Sequence, residues 1–234
     1  MPGTEQFRGL LATGEIEVIG RLPNSSNATL LVSVTCGDDS VRAVYKPGRG
    51  ERPLWDFPPG LYRREVAAYE LSRALGWDQV PCTVLRDGPY DEGSVQLFVE
   101  FEPQEHYFSI HEERPDLHDE LRRMAVFDII ANNTDRKGGH VLLGTDGHVW
   151  GIDHGVCFSD DFKLRTVIWE FAGEDIPDGL LAPVAALADA LPGEVTDMLS
   201  GDEVDAMLDR VGWLLDNRVF PSPGSRYEYP WPIL

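Results

Sequence analysis

Residues 132–155, NNTDRKGGHVLLGTDGHVWGIDHG, constrain this chain more than any other stretch. Val141-Leu142-Leu143 and Val149-Trp150-Gly151-Ile152 are apolar runs of strand length, and Asp146-Gly147 between them is a strong hairpin signal. A two-residue turn at Asp146-Gly147 predicts that Thr145 faces His148, Leu143 faces Trp150, Val141 faces Ile152 and His140 faces Asp153. Opposed residues hold their Cβ atoms about 4.5–5.5 Å apart, close enough to share a cation. Asp135 lies in the polar, glycine-containing loop just before the first strand. Two carboxylates and an imidazole are thus expected to converge, an arrangement that suits a metal-nucleotide site.

At 234 residues, with 42% hydrophobic and 10% aromatic content, the chain can bury a full core as one large domain or two lobes. No apolar run approaches the roughly 18 residues of a membrane span. The start, MPGTEQFRGL, lacks the apolar segment of a signal peptide. The expectation is a soluble, cytoplasmic protein without stable membrane association. Forty acidic against twenty basic residues give a formal charge of −20, which disfavours nucleic acid and anionic lipid as partners. No Lys or Arg occurs between Arg165 and Arg210, a stretch read as a solvated acidic surface. Cys36, Cys82 and Cys157 are widely spaced with no CxxC pair, so they are read as buried thiols rather than disulfide or zinc ligands.

Periodicity predicts strands over Glu15–Ile19, Thr29–Cys36 and Val41–Lys46, the last two joined at Gly37-Asp38-Asp39-Ser40. Residues 20–27, GRLPNSSN, are rich in types that wrap a phosphate with backbone N–H groups or small hydroxyls, although most such loops are plain turns. Lys46 falls at the lip of the third strand, placed either to reach into a cleft or to face solvent. A helix is predicted over Leu61–Leu75, stopped by Gly76, with Glu65 in its first turns off the apolar stripe. Strands over Val80–Arg86 and Val95–Phe101 follow, then an irregular linker to Pro115. Asp116–Asn132 reads as a second helix, with Asp128 on its apolar face in a structural role. Helices over Leu180–Leu191 and Asp202–Asn217 and a Pro- and aromatic-containing tail packed on the surface complete the chain.

The order of Gly/Ser/Asn loop, strand lysine, helix glutamate, apolar strand, NTDR loop and IDxG turn resembles the phosphatidylinositol 3-/4-kinase-like superfamily. Within it, NNTDRKGGHVLL followed by GIDHGVCF is most similar to the type II phosphatidylinositol 4-kinases and the bacterial HipA-like protein kinases. The resemblance runs from about Gly20 to Trp169 and includes RTVIW, Arg165–Trp169, which resembles an activation-loop region. It implies a two-lobed α+β fold of the protein-kinase-like, PI3/4-kinase-like type, with an N-lobe over 1–102, a mainly helical C-lobe over 103–234 and a nucleotide between them. By the same resemblance Lys46 would hold the phosphates of ATP, Glu65 would orient Lys46, and Asp135 would be the catalytic aspartate that receives or orients the acceptor hydroxyl. Asp153 would bind Mg2+ or Mn2+. Gly20, Ser25, Ser26 and Asn27 would cover the phosphates, while Val99, Glu100 and Phe101 would form the hinge that meets adenine.

Five residues after the catalytic aspartate the family places an asparagine as second metal ligand, and this chain has His140. Imidazole favours softer cations than magnesium, which makes manganese dependence a live hypothesis. The acceptor is expected to be a hydroxyl of a protein Ser/Thr or a small polyol. Phosphoinositide is disfavoured by the charge, by the lack of a membrane anchor and by the lack of the cysteine-rich palmitoylation segment of type II lipid kinases. Two other classes stand beside this reading. One is a nucleotide-binding pseudokinase without turnover, which His140 favours. The other is a metal-dependent hydrolase built from Asp135, His140 and Asp153, which would need neither Lys46 nor Glu65.

Overall fold

The computed structural model describes residues 4–22 and 27–234, so Ser25 and Ser26 of the expected phosphate loop lie outside the described residues. The chain opens with α1 (Arg8–Thr13), which the sequence reading did not anticipate. Six residues cannot hold a helix on propensity; α1 is fixed by docking on β2 and β4 with Leu11 fully buried.

β1 (Glu15–Arg21), β2 (Leu30–Cys36) and β3 (Asp39–Pro47) form the expected antiparallel meander. Gly37, at φ 61, makes the tight β2–β3 turn and brings Cys36 opposite Asp39. The period of two buries Val32, Val34, Ala43 and Tyr45 in the core and leaves Val44 and Lys46 on the other face. After α2 (Leu61–Ala74), β4 (Thr83–Asp87) and β5 (Glu92–Leu97) complete a five-stranded sheet in the order β1-β2-β3-β5-β4. β5 stops at Leu97, short of the predicted Phe101, because its backbone changes partner. Phe98 N–H still donates to Arg42 O at 3.0 Å, whereas Glu102 N–H donates to Leu143 O at 2.9 Å.

The expected linker holds a helix, α3 (Tyr107–Glu113). His106 caps it, Nδ1 accepting from Ser109 N–H at 3.3 Å, while Tyr107 and Ile110 are fully buried. A histidine cap carries no sequence signal comparable to Ser or Asp. α4 (His118–Ala131) follows, then the short hairpin of β6 (Val141–Leu143) and β7 (Val149–Gly151). α5 (Asp178–Asp189), α6 (Gly193–Thr196) and α7 (Gly201–Asn217) make the remainder mainly helical. α7 starts on a reciprocal cap: Ser200 Oγ accepts Glu203 N–H at 3.3 Å and Glu203 Oε2 accepts Ser200 N–H at 2.8 Å. The molecule is a two-lobed α+β fold with an antiparallel-sheet N-lobe and a largely helical C-lobe.

Cys82 and Cys157 are buried as expected, but Cys36 is exposed, because it ends β2 beside the solvent turn. Among the described residues no helix is long and apolar enough to cross a membrane.

Candidate active site

Lys46 leaves the sheet face opposite the core and meets two carboxylates. It pairs with Glu65 of α2 and, at 2.8 Å, with Asp153 Oδ1 beyond β7. α2 presents Glu65 because its start is fixed from outside: Glu51 accepts the N–H groups of Gly60 at 2.9 Å and Tyr62 at 2.8 Å, doing the work of an N-cap residue. Glu65 is 2% exposed, and its second oxygen accepts His154 N–H at 3.0 Å. One carboxylate thereby holds both the lysine and the turn that carries Asp153. Burial pulls the Lys46 ammonium down, but Asp153 and Glu65 more than reverse this and leave its pKa above the ordinary value. The Lys46 charge in turn holds the Asp153 carboxyl well below the usual carboxylate range.

The hairpin register differs by one residue from the sequence expectation. Val141 pairs with Gly151, Leu142 with Trp150 and Leu143 with Val149. Gly144 and His148 close a three-residue loop, Thr145-Asp146-Gly147, in which Gly147 takes the left-handed position at φ 84. Thr145 therefore does not face His148, and His140 faces Ile152, whose N–H donates to His140 O at 3.0 Å. His140 and Asp153 nevertheless meet. Asp153 adopts φ 62, and its Oδ2 lies 3.5 Å from His140 Nε2. A left-handed aspartate is tolerated at modest cost.

The NNTDR loop is wired by its side chains. Asn132 ends α4 at φ 48, donates to Ser159 O at 3.0 Å and Asp161 O at 2.7 Å, and accepts Lys163 N–H at 3.0 Å. Asn133 Oδ1 accepts Asp135 N–H at 3.0 Å, and Thr134 Oγ1 donates to Val156 O at 2.8 Å. Arg136 is fully buried and pairs with Asp128 at 2.9 Å. It also donates to His140 O at 3.2 Å and Ile152 O at 3.0 Å, and its Nη2 lies 2.8 Å from His154 Nε2. Asp128 is structural, as the sequence suggested, and side chains satisfy it: Arg136, Asn133 at 3.0 Å and Thr166 at 3.4 Å. The RTVIW segment pairs with this loop, Arg136 N–H donating to Arg165 O at 3.0 Å.

Lys137 escaped the sequence reading. Its Nζ lies 2.8 Å from Asp135 Oδ2; the only sequence signal was a base two residues after the acid. Burial lowers the pKa of the His140 imidazole from its ordinary value, outweighing Asp153 and Asp135, which raise it. Asn27 Oδ1 accepts Arg52 N–H at 2.9 Å, and Gly20 lies at an irregularity in the β1–β2 pairing. The backbone of Val99 makes no hydrogen bond to other backbone among the described residues, whereas Glu100 O accepts Thr145 N–H at 3.1 Å and Phe101 bridges Gly144. Cys157 is fully buried, and burial pushes its thiol well above the ordinary value.

Among the described residues no three His, Cys, Asp or Glu side chains form a group that could hold a metal. Asp153 and His140 do fit one: their 3.5 Å separation suits two adjacent ligands of a single cation. Magnesium sites in nucleotide enzymes commonly use one or two protein groups together with phosphate oxygens.

Residues 84–198 match the family model for phosphatidylinositol 3- and 4-kinases. Protein Rv2133c of Mycobacterium tuberculosis is 44% identical over 261 residues, covering 95% of this chain and 94% of that protein. The chain belongs to the Rv2133c family, and its residues 84–198 are similar to the phosphatidylinositol 3- and 4-kinases. Phosphatidylinositol 4-kinase gamma 4 of Oryza sativa subsp. japonica is 32% identical over 127 residues, 45% of this chain and 22% of that protein, so the kinase-like chain spans about a fifth of this relative. Three solved structures share the fold. Hydra Fam20 with sugar has TM-score 0.56 at 14% identity, covering 91% of this chain and 87% of that one. The Helicobacter pylori proinflammatory kinase CtkA has TM-score 0.52 at 12% identity, covering 90% and 94%. The golgi casein kinase has TM-score 0.54 at 14% identity, covering 98% and 80%.

Proposed function

We propose that this kinase-like chain transfers the γ-phosphoryl group of ATP to a hydroxyl of a soluble acceptor, a protein Ser/Thr or a small polyol. The observation that carries the reading is Lys46 held between the buried Glu65 and Asp153. Phosphoryl transfer passes through a loose transition state with charge spread over oxygens, so the protein's task is to position reactants and supply positive charge. Lys46 supplies that charge to the nucleotide phosphates, and Glu65 fixes its position. Asp135 accepts the hydrogen bond of the acceptor hydroxyl and aims its oxygen; Lys137, 2.8 Å from Asp135, orients that carboxylate. Val99 and Glu100 offer backbone groups to adenine.

Asp153 and His140 would hold Mg2+ or Mn2+, which when bound neutralises phosphate charge. A formal charge of −20 supports a soluble acceptor over an anionic lipid, and the names of two proteins of like fold, the golgi casein kinase and the proinflammatory kinase, fit a kinase activity. The test is ADP release with candidate acceptors, in wild type and Asp135→Asn. The expected result is a rate lower by about 10²–10⁴-fold with ATP affinity retained; an undiminished rate in Asp135→Asn overturns the assignment. ATP binding without turnover in the wild type, across protein and polyol acceptors, would favour the pseudokinase.

A further inference from the structure

The helix that carries Glu65 is held from the C-lobe. Arg64, the residue before Glu65 on α2, is 3% exposed and forms a buried ion pair with Glu203 in the first turn of α7. Its guanidinium also lies over the Phe57 ring at 5.4 Å, and Lys163 Nζ lies 4.4 Å from the same ring. Glu203 is itself fixed, since its second oxygen accepts Ser200 N–H at 2.8 Å in the cap of α7. Arg210, seven residues further on and therefore on the same face of α7, donates from Nε to Ile130 O at 2.9 Å. Ile130 lies in the last turn of α4, just before the loop that carries Asp135. α7 is thus a strut between the helix of Glu65 and the helix that leads into the NNTDR loop.

Successive residues of an α-helix project about 100° apart. Fixing Arg64 to a partner outside the N-lobe therefore fixes the rotation of α2 about its axis, and with it the direction in which Glu65 projects. The second ion pair between α2 and this part of the C-lobe is of another kind. Arg73 meets Glu194 of α6 at 3.4 Å, where the Glu194 side chain is exposed, and pairs of that sort contribute little.

We propose that Arg64 and Glu203 are positioning residues: their contact sets the rotation of α2 so that Glu65 stays on Lys46 and the Lys46 ammonium stays aimed into the cleft. The effect on Lys46 needs only these contacts, whereas the effect on ATP rests on the phosphotransfer reading.

The full chain contains three lysines, Lys46, Lys137 and Lys163, so trace acetylation with acetic anhydride, quantified by mass spectrometry, reads Lys46 against Lys137 in one sample. Global unfolding exposes both and cancels in the ratio. Arg64→Met and Glu203→Gln cut the contact from either side, the first leaving the Ser200–Glu203 cap in place. Each is expected to raise the Lys46-to-Lys137 ratio at least about threefold over wild type, and the double variant to match the single ones, because all lose the same contact. Ser200→Ala weakens the cap but keeps the ion pair, and Glu194→Gln cuts the exposed pair; both are expected to leave the ratio within about twofold of wild type. An unchanged ratio in Arg64→Met, additive effects in the double variant, or an equal rise in Ser200→Ala would overturn the proposal. Thermal shift with ATP and magnesium separates the two readings: the apparent dissociation constant is expected to rise at least about threefold in Arg64→Met. A raised labelling ratio without ATP stabilisation of the wild type would uphold the hold on Lys46 and overturn the nucleotide reading alone. ATP affinity unchanged in Arg64→Met despite a raised ratio would overturn the positioning role.

Discussion

Lys46 stands between two carboxylates, and removing it has two separable consequences. Glu65, 2% exposed, would keep only the His154 N–H as partner. Lys46→Met should therefore cost about 1–3 kcal/mol, the penalty of an under-satisfied buried acceptor, read as a lower urea midpoint. It should also abolish nucleotide-dependent stabilisation; an unchanged midpoint would contradict the buried pairing. His140 is the second informative residue. Under the proposed function His140→Asn, which restores an oxygen donor, should raise magnesium-supported ADP release relative to manganese-supported release, because imidazole favours softer cations. An unchanged metal ratio would remove His140 from the ligand set. At this scale the resemblance pointed to Lys46, Glu65 and Asp153, three residues that the structure brings into contact. The sequence was silent on Arg136, because only the fold reveals that a loop arginine is 0% exposed and faces Asp128.

The elements around the site act through that arginine. Arg136 joins α4, the loop after it, both sides of the hairpin base and the residue after Asp153. Asp128→Ala leaves a buried guanidinium unpaired, and breaking such a pair costs about 3–5 kcal/mol. Chemical denaturation should show a loss of that size, and a loss below about 1 kcal/mol would mean that the pair is solvated. Most helices and strands were readable from periodicity. The hairpin register was not, because Asp146-Gly147 serves equally as a two-residue turn or as the end of a three-residue loop. Gly147 at φ 84 and the Asp146–His148 hydrogen bond select the second. α3 went unseen because its cap is a histidine and its burial is tertiary.

For the molecule as a whole, acid sensitivity follows from His154. It is fully buried, and burial together with the Arg136 charge holds its pKa well below the ordinary value. Below pH about 6.5 the unfolded chain binds a proton that the native state refuses, so this contribution is present above that pH and is lost as pH falls. The slope is up to about 1.4 kcal/mol per pH unit, and His154→Gln should flatten it by as much as one proton; an identical slope in the variant would contradict the assignment. The central claim, that Lys46, Glu65 and Asp153 form a metal-nucleotide site, is tested most directly by thermal shift with ATP and magnesium or manganese, on wild type and Asp153→Asn. Ligand at a hundred times its dissociation constant should stabilise the wild type by about 2.7 kcal/mol, with the metal-dependent part lost in Asp153→Asn. No shift with either metal, or an equal shift in the variant, would contradict the account.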